Sequence, residues 1–282
     1  MCPAENAART DRVRALFDLV AETYDSVAVP WFGPIAGALV SCLAPRPGER
    51  ALDLGTGRGA ALWPLAAGVA PGGHVTGLDL SPRMVEETRR TVAARGLAGV
   101  ELLVGDASAP ALPEGRYDLA VASLVLFFLP DPGAALRAWR QLLVPGGRVG
   151  ISTFAGRDRR WSELDDVFTP YLPPELLDAR TSGSRGAFAS DEGVAALLVD
   201  SGFVEVQTMS HDLHVRFTGV EQWREWTWSH GQRSHWLAVP EDRRPAVLEQ
   251  VASRVEPFAD GSGAFTLRQT VRCTTARRRR AG

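Results

Sequence analysis

The stretch A-L-D-L-G-T-G-R-G at residues 51–59 decides the fold of this chain. Its apolar beginning predicts a β-strand, and Gly55, Gly57 and Gly59 then follow at every second position. Glycines let the backbone turn tightly and let a ligand approach without a Cβ in the way. An apolar strand that ends in such a turn before a helix opens the ligand site of a doubly wound sheet. The G-x-G-x-G spacing after Asp53 differs from the G-x-G-x-x-G of dinucleotide-binding proteins, and it indicates a ligand with an amino-acid end.

Strands and helices alternate after this turn, which predicts a parallel sheet with helices on both faces. The strands are predicted at residues 50–54, 74–79, 100–104, 117–123 and 148–153, and the helices between them at 58–69, 82–95 and 131–143. Ser81 and Asp131 stand where helix N-caps are expected, and each is followed by a proline. Two further helices are predicted ahead of the sheet, one with an apolar face that ends at Tyr24 and one at residues 35–43.

The alternation of strands and helices stops after the fifth strand. Two late strands, at residues 203–217 and 264–275, predict an antiparallel pair at the sheet edge with the insert between them as a helical cap. The expected organisation is N-terminal helices covering the site at 1–48, a binding core at 49–155, cap insertions at 156–189 and 218–262, completion of the sheet at 190–217 and 263–276, and a disordered tail at 277–282.

The composition limits the classes of function. The chain has 282 residues, a net charge of −2 and no lysine, so it offers no electrostatic case for nucleic acid and excludes a Schiff-base lysine. Three widely spaced cysteines, Cys2, Cys42 and Cys273, form neither a disulfide framework nor a zinc pattern, and no metal site is expected. Residues 2–14 are too polar for a signal peptide, and the longest apolar run, 119–129, is shorter than the ~20 residues of a membrane span. We therefore expect a soluble cytoplasmic protein with no membrane partner.

Two more carboxylates end predicted strands and extend the site beyond the glycine turn. Asp79 ends the second strand, about 20 residues after the turn, where a carboxylate accepts hydrogen bonds from ribose hydroxyls in this fold. Asp106 ends the third strand, where it can accept from an exocyclic adenine amine while the backbone of Ala107 lies beside the ring. Each of them has an alternative role, Asp79 as a helix cap and Asp106 as a turn residue.

With these features the chain resembles the class I S-adenosylmethionine-dependent methyltransferases. The matching pieces are A-L-D-L-G-T-G-R-G at 51–59, G-L-D-L-S-P-R-M-V at 77–85, V-G-D-A at 104–107, Y-D-L-A-V-A-S at 117–123 and L-L-V-P-G-G-R at 142–148. The opening F-D-L-V-A-E-T-Y-D at 17–25 resembles the start of the ubiquinone/menaquinone C-methyltransferase branch, and the remainder resembles small-molecule methyltransferases of bacterial secondary metabolism.

The resemblance implies a Rossmann-like, seven-stranded α/β sheet of order 3-2-1-4-5-7-6 with the last strand antiparallel. It also implies S-adenosylmethionine as the cofactor. The residues that would contact the cofactor are Asp53, Gly55 and Gly57 at the methionine end, Asp79 at the ribose, Leu80, Met84, Asp106 and Ala107 around the adenine, Ser123 beside the sulfonium, and Tyr24 as a cover. Met84 and Tyr24 also fit the alternative of plain packing residues.

The acceptor pocket is predicted from aromatic residues outside these motifs. Four of the eight tryptophans lie within residues 223–236, and on a helix Trp223, Trp226 and His230 share one stripe. The residues expected to line the acceptor are Trp31, Phe32, Phe154, Trp161, Trp223 and Trp226. The alternative is an aromatic core inside the cap. His230 and His235 are the candidate bases, with Tyr24 as a third catalytic candidate, although structural histidines are commoner.

These features predict methyl transfer to a small, apolar or aromatic acceptor, by in-line attack without a metal, in natural-product biosynthesis. The alternatives are an NAD-dependent oxidoreductase, a non-catalytic cofactor-binding protein and an RNA methyltransferase. The last is disfavoured because Ser123 and the apolar residues after it stand where an N/D-P-P-Y motif is expected. Whether carbon, oxygen or nitrogen is methylated stays open. A homo-oligomer also stays open, since the leading helix could exchange between subunits.

Overall fold

One mixed sheet of seven strands organises the chain. The computed structural model describes residues 3–181, 183 and 185–280. The strands are β1 (Arg50–Leu54), β2 (His74–Asp79), β3 (Val100–Val104), β4 (Tyr117–Ser123), β5 (Leu143–Arg157), β6 (Phe203–Phe217) and β7 (Phe265–Arg278). Their spatial order is β3-β2-β1-β4-β5-β7-β6. The first five strands pair in parallel, and β7 runs antiparallel to both β5 and β6. The predicted sheet order and its antiparallel strand are confirmed.

Eleven α-helices surround the sheet within the described residues. They are α1 (Pro3–Val20), α2 (Phe32–Leu43), α3 (Leu62–Val69), α4 (Pro82–Ala94), α5 (Pro132–Leu142), α6 (Arg159–Asp165), α7 (Pro174–Thr181), α8 (Asp191–Asp200), α9 (Val220–Ser229), α10 (Arg233–Ala238) and α11 (Arg244–Val255). The predicted caps form: Ser81 Oγ accepts from the Met84 N–H of α4, and Asp131 accepts from the Ala134 N–H of α5. In the described part of the chain, no helix has both the length and the apolar character needed to cross a bilayer.

Two apolar layers bury the opposite faces of the sheet. Leu52 of β1 packs in the layer that also holds α5 and the cap, whereas its neighbour Ala51 packs in the layer formed with α2 and α3. Both residues are fully buried. Strands covered on both faces are expected to be continuously apolar, which is why β1 and β4 could be recognised in the sequence.

The aperiodic segment after β5 and the insert between β6 and β7 form the cap. The cap consists of α6, α7, α9, α10 and α11 with short 3-10 segments between them. Its interior is aromatic and aliphatic, and it includes Trp161, Phe168, Trp223, Trp236 and Val247. Residues 154–189 therefore contain helices that their sequence did not predict, because these helices are short and stabilised by packing against the rest of the cap.

The first two of the four C-terminal arginines are part of the sheet, which corrects the expectation of a disordered tail from residue 277. Arg277 and Arg278 are the last residues of β7, and Arg277 pairs with Glu205 of β6 at 3.1 Å. The guanidinium of Arg278 donates to the carbonyls of Arg140 and Gln141 at 3.2 and 3.1 Å. These carbonyls are left without helical partners at the end of α5, so Arg278 caps that helix. Residues 281–282 of the expected tail lie outside the described residues.

Candidate active site

The glycine turn after β1 is held in a left-handed backbone conformation. Gly55, Gly57 and Gly59 have φ values of 72°, 50° and 88°, which side chains rarely allow. A Cβ on Gly55 would come within 2.5 Å of Cγ2 of Val125, so the chain after β4 packs directly on this glycine. A Cβ on Gly57 would meet nothing within 4 Å, so Gly57 faces open space. The turn therefore replaces the first helical turn expected at residue 58, and α3 begins only at Leu62.

Asp53 lies at the end of β1, where it is 1% exposed. Its carboxylate accepts a hydrogen bond of 2.7 Å from the hydroxyl of Thr56. Burial raises the pKa of Asp53 to about 7; the Thr56 hydrogen bond opposes this shift, and the charge of Asp79 adds to it. None of the ion pairs among the described residues involves Asp53. A buried carboxylate of this kind suits a cationic ligand group, because an ammonium would stabilise its charged form.

Asp79, at the end of β2, fixes the turn in place. Its Oδ2 accepts from the Gly57 N–H at 2.8 Å and its Oδ1 from the Ser81 N–H at 2.9 Å. Burial raises the pKa of Asp79. Asp79 thus joins the glycine turn to the start of α4, and the half-buried Leu80 lies between these two contacts. The hydroxyl of Ser81 also donates to Asp18 of α1, so the leading helix is anchored at the same point.

Met84 is fully buried against α1, in a small cluster with Val20 and Ala21. Its packing holds the leading helix on α4. Met84 thus has the burial that the packing alternative expects, and its predicted place near the adenine stays a prediction.

The ends of β3 and β4 supply the remaining residues predicted for the cofactor. Asp106 accepts from the Ser108 N–H at 2.7 Å, and the carbonyl of Ala107 accepts from the indole of Trp139 at 2.7 Å. The hydroxyl of Ser123 lies 3.1 Å from that of Ser152 on β5. The next residue, Leu124, has a φ of 58°, a conformation that costs energy for a branched side chain and often marks functional sites.

A crevice of about 50 Å³ lies at the carboxyl ends of β1 and β4. Its lining residues are Tyr24, Asp25, Phe32, Asp53, Gly55, Thr56, Gly57, Arg58, Ala60, Ala61 and Ser123. A larger hollow of about 340 Å³ lies at the opposite end, beside the starts of β2 and β3, and is lined by residues without titratable side chains. Ligands of open α/β sheets bind outside the carboxyl ends of the strands, so the smaller crevice is the candidate site.

Tyr24 and Phe32 lie across this crevice, with ring centroids 4.7 Å apart. They explain its small volume, since small-molecule sites commonly measure ~300–1,000 Å³. Burial raises the pKa of Tyr24 well above its usual value, and the charges of Asp25 and Asp79 add to the shift. Tyr24 is therefore a neutral phenol at physiological pH. Arg58 donates to the carbonyl of Ala21 at 2.7 Å and so ties the end of the leading helix to the glycine turn.

Phe32 joins the crevice to a continuous group of rings, here called the aromatic cluster, which consists of Trp31, Phe32, Phe154, Trp161, Trp226 and His230. The centroid of Phe32 is 5.9 Å from that of His230, and His230 is 4.4 Å from Trp226. Trp226 is in turn 5.4 Å from Trp31. The structure thus brings together five of the six residues predicted to line the acceptor.

Trp223 and His235 are not part of this cluster. The ring contacts of Trp223 are with Phe168 and Trp236, at 6.4 and 6.2 Å, and His235 lies 5.6 Å from Phe168. The predicted stripe on α9 is therefore divided. Trp226 packs on Trp31 and His230 on Phe32, whereas Trp223 packs inside the cap, as the alternative of an aromatic core proposed.

His230 is held as a neutral imidazole. Burial lowers its pKa to about 3, and the nearby His235 and Arg233 act in the same direction. Its Nδ1 accepts from the Gln232 N–H at 3.3 Å. Among the described residues, the buried Nε2 of His230 and the buried Nε1 of Trp226 have no hydrogen-bond partner.

Thr56 and Arg233 are among the residues that shape the site and that sequence reasoning missed. Thr56 contacts Asp53 and stands inside the quoted glycine motif, so its position beside the carboxylate was a usable signal. Arg233 is buried and donates to the carbonyls of Leu19 and Trp228 at 3.1 and 2.6 Å. It joins the end of α1 to the cap across more than two hundred residues of sequence, and no local pattern signals such a contact.

Comparison with known proteins agrees with this geometry. The methyltransferase domain family matches residues 51–147. Nocamycin O-methyltransferase of Saccharothrix syringae is 36% identical over 277 residues, which cover 95% of this chain and 99% of that protein. Aklanonic acid methyltransferase DauC of a Streptomyces species is 39% identical over 167 residues, which cover 59% of this chain and 76% of that protein.

The fold also matches solved structures. The YcgJ protein of Bacillus subtilis superposes with a TM-score of 0.59 at 16% identity, covering 88% of this chain and 99% of that one. At this level of identity, the similarity bears on the fold alone.

Proposed function

The chain belongs to the S-adenosylmethionine-dependent methyltransferases, and from this premise we propose that it methylates an oxygen of a small, largely apolar, aromatic-rich acceptor in natural-product biosynthesis. The choice of oxygen is supported by the relative that is similar along almost its whole length, which is an O-methyltransferase. A natural-product acceptor is supported by the same relative and by the methyltransferase that acts on aklanonic acid.

The residues around the crevice fit S-adenosylmethionine, which supplies a methyl group already activated on a sulfonium. Asp53 is a buried carboxylate suited to the ammonium end, and the open face of Gly57 leaves room for a close approach. Asp79 would hold the ribose hydroxyls, and Asp106 with Ala107 would hold the adenine. Ser123 would lie on the side of the reacting sulfur.

The contribution of the protein to the chemistry is alignment and exclusion of water. Good alignment of two reactants is worth ~7–11 kcal/mol, whereas a general base adds only ~10²–10⁴-fold. The aromatic cluster provides apolar walls beside the crevice, so an acceptor held there would be desolvated and placed for in-line attack. Such a transfer requires no metal.

One observation carries this proposal: Phe32 lines the crevice and is also a member of the aromatic cluster. A ligand in the crevice and an acceptor among the rings would therefore share a wall. This arrangement predicts that cluster residues outside the crevice lining, such as Trp226, decide acceptor binding without affecting the cofactor.

We expect Trp226→Ala to raise the KM of the acceptor at least about tenfold, or to abolish turnover, because a large buried aromatic wall is lost. Its Kd for S-adenosylhomocysteine should stay unchanged. Acceptors would be found by mass spectrometry with a panel that begins with aklanonic acid, and cofactor affinity would be measured by calorimetry.

The matched control is Leu237→Ala, which truncates a side chain that is 47% exposed on the same cap. It should leave both constants unchanged. Acceptor kinetics of Trp226→Ala equal to those of the wild type would contradict the placement of the acceptor among these rings.

A further inference from the structure

Two buried N–H groups belong to neighbouring rings, those of Trp226 and His230, and the His230 ring contacts Phe32 of the crevice wall. Trp226 belongs to α9, and His230 is the residue that caps the end of this helix. Positions four apart share a helix face, and the two ring centroids are 4.4 Å apart. Trp226 is 2% exposed, and both its Nε1 and the Nε2 of His230 are buried without a partner among the described residues.

The hydrogen bond on the other ring nitrogen assigns the tautomer of His230. A backbone N–H can only donate, so the Nδ1 that accepts from Gln232 carries no proton. A neutral imidazole has one N–H, which must then be on Nε2. The ring is neutral because burial lowers its pKa, and because the neighbouring Arg233 and His235 disfavour a further positive charge.

Both unpartnered groups are therefore donors, and neither can accept a proton. An indole nitrogen is a donor only, and an Nε2–H is already protonated. Burying two donors without acceptors costs free energy, because their hydrogen bonds to water are lost and not replaced. Hydrogen bonds to a charged acceptor are the strong ones. The chemistry that completes such a site is a negatively charged oxygen.

Resting on the proposed function, we propose that the methyl acceptor is an oxyanion, a carboxylate or an acidic enolate, held by Trp226 Nε1–H and His230 Nε2–H. His230 then positions the acceptor and is not its base. The lone pair of the oxyanion forms the new O–C bond while the S–C bond breaks and its electron pair stays on sulfur. The anion and the sulfonium become two neutral products, so no proton has to be removed.

The binding test uses anthraquinone-2-carboxylate and its neutral amide, anthraquinone-2-carboxamide, as probes in the presence of saturating S-adenosylhomocysteine. We expect tryptophan fluorescence to show that the wild type binds the acid at least about tenfold more tightly than the amide. Trp226→Phe and His230→Phe keep a ring but lose a donor, so each should lose most of this preference. His230→Gln retains an N–H donor near Nε2 and should keep it.

The control is Trp236→Phe, which removes an indole N–H that donates to Thr227 inside the cap. It should lower stability without changing the preference for the acid. Equal binding of acid and amide by the wild type, or failure to bind the acid, would overturn the oxyanion site while leaving methyl transfer in place. A loss of preference in His230→Gln as large as in His230→Phe would also overturn it.

A second measurement needs no acceptor. Nitrogen-15 NMR of the histidine side chains should find His230 as a neutral ring with its proton on Nε2 at neutral pH. A proton on Nδ1, or a ring that titrates at its ordinary pKa, would overturn the assignment whatever the acceptor is. Failure of the wild-type protein to bind S-adenosylhomocysteine would instead contradict the proposed function itself.

Discussion

Asp53 is 1% exposed, and burial raises the pKa of its carboxyl to about 7. A carboxyl with a raised pKa keeps its proton in the folded state at pH values where the unfolded chain has lost it. Its contribution to stability is therefore present below its ordinary pKa of 3.8 and is lost as the pH rises to about 7. A cofactor ammonium beside Asp53 would lower this raised pKa, because an opposite charge favours the charged form of the carboxyl.

Cofactor affinity should consequently rise with pH. At one unit below its pKa only about a tenth of Asp53 is ionised, so binding of S-adenosylmethionine should tighten up to about tenfold between about pH 6 and about pH 8. Asp53→Asn mimics the protonated form, and it should fold normally, bind weakly and lose this slope. Calorimetry across this range measures both effects.

Methylthioadenosine lacks the ammonium and the carboxylate of the amino-acid end, and it serves as the control ligand. Its affinity should not follow the ionisation of Asp53. The same slope in the wild type and in Asp53→Asn would show that another group is responsible.

The two glycines of the turn should respond differently to a methyl group. Gly57→Ala meets no atom within 4 Å, so its cost to folding is the left-handed backbone alone, about 1–2 kcal/mol. The same methyl group would occupy the space proposed for the cofactor and should weaken S-adenosylhomocysteine binding at least about tenfold. Thermal unfolding and calorimetry measure the two effects separately.

Gly55→Ala is the matched comparison, because its Cβ would come within 2.5 Å of Val125 in addition to the backbone strain. It should lose clearly more stability than Gly57→Ala. Unchanged cofactor binding in a folded Gly57→Ala would contradict the proposed role of that glycine.

At the level of elements, a buried arginine helps to hold the leading helix to the cap, together with a hydrogen bond of 3.3 Å from the Thr23 hydroxyl to the Ser229 carbonyl. Arg233, the first residue of α10, donates to the carbonyl of Leu19 near the end of α1 and to the hydroxyl of Thr23. The same guanidinium donates to the carbonyl of Trp228 on α9. Its position and hydrogen bonds thus make Arg233 a connection between α1 and the part of the cap that carries His230.

Arg233→Met should loosen this connection. It keeps much of the apolar stem but leaves buried acceptors without a donor, at a cost of about 1–3 kcal/mol. We expect faster hydrogen exchange in residues 16–24 and weaker cofactor binding. Arg224→Met is the control, because Arg224 pairs with Glu221 at the surface of α9. Exchange in the leading helix that equals that of the wild type would show that other contacts hold it.

The elements that could be predicted from sequence are those with local signals. The strands β1 to β3 are apolar segments that end in or beside glycines or acids, and α4 and α5 carry their own caps at Ser81 and Asp131. The six-residue helix α10 has no such signal, and packing of Trp236 and His235 inside the cap decides that it forms. The same holds for the short helices between residues 159 and 181.

The residues of the candidate site also differ in whether the sequence could predict them. The carboxylates at the ends of β1, β2 and β3 could be found because parallel strands bring their carboxyl ends to one edge. The aromatic cluster combines segments that are far apart in sequence, and only the fold shows that Trp226 packs against Trp31 while Trp223 packs against Phe168. A helical stripe gives the shared face of a helix but not the neighbours that cover it.

Across the whole molecule, the crevice lies where the sheet, the leading helix and the cap meet. Arg58 of the glycine turn contacts the carbonyl of Ala21, and Gln232 of the cap contacts Asp165 at 2.6 Å. Asp165 in turn pairs with Arg157 at the end of β5. A ligand in the crevice should therefore order the leading helix and the His230 region of the cap together.

This coupling predicts how the molecule responds to S-adenosylhomocysteine. A ligand at a hundred times its Kd stabilises the folded state by about 2.7 kcal/mol, which should raise the Tm by roughly 5–10 °C for a chain of this size. Hydrogen exchange should slow in two distant segments, residues 17–25 and 226–236, because Arg233 and the contact between Phe32 and His230 connect them. Asp79→Asn, which weakens the proposed ribose site, should reduce both the Tm shift and the protection. A full Tm shift with protection confined to residues 17–25 would contradict the coupling, because the cap would then be unaffected by ligand binding.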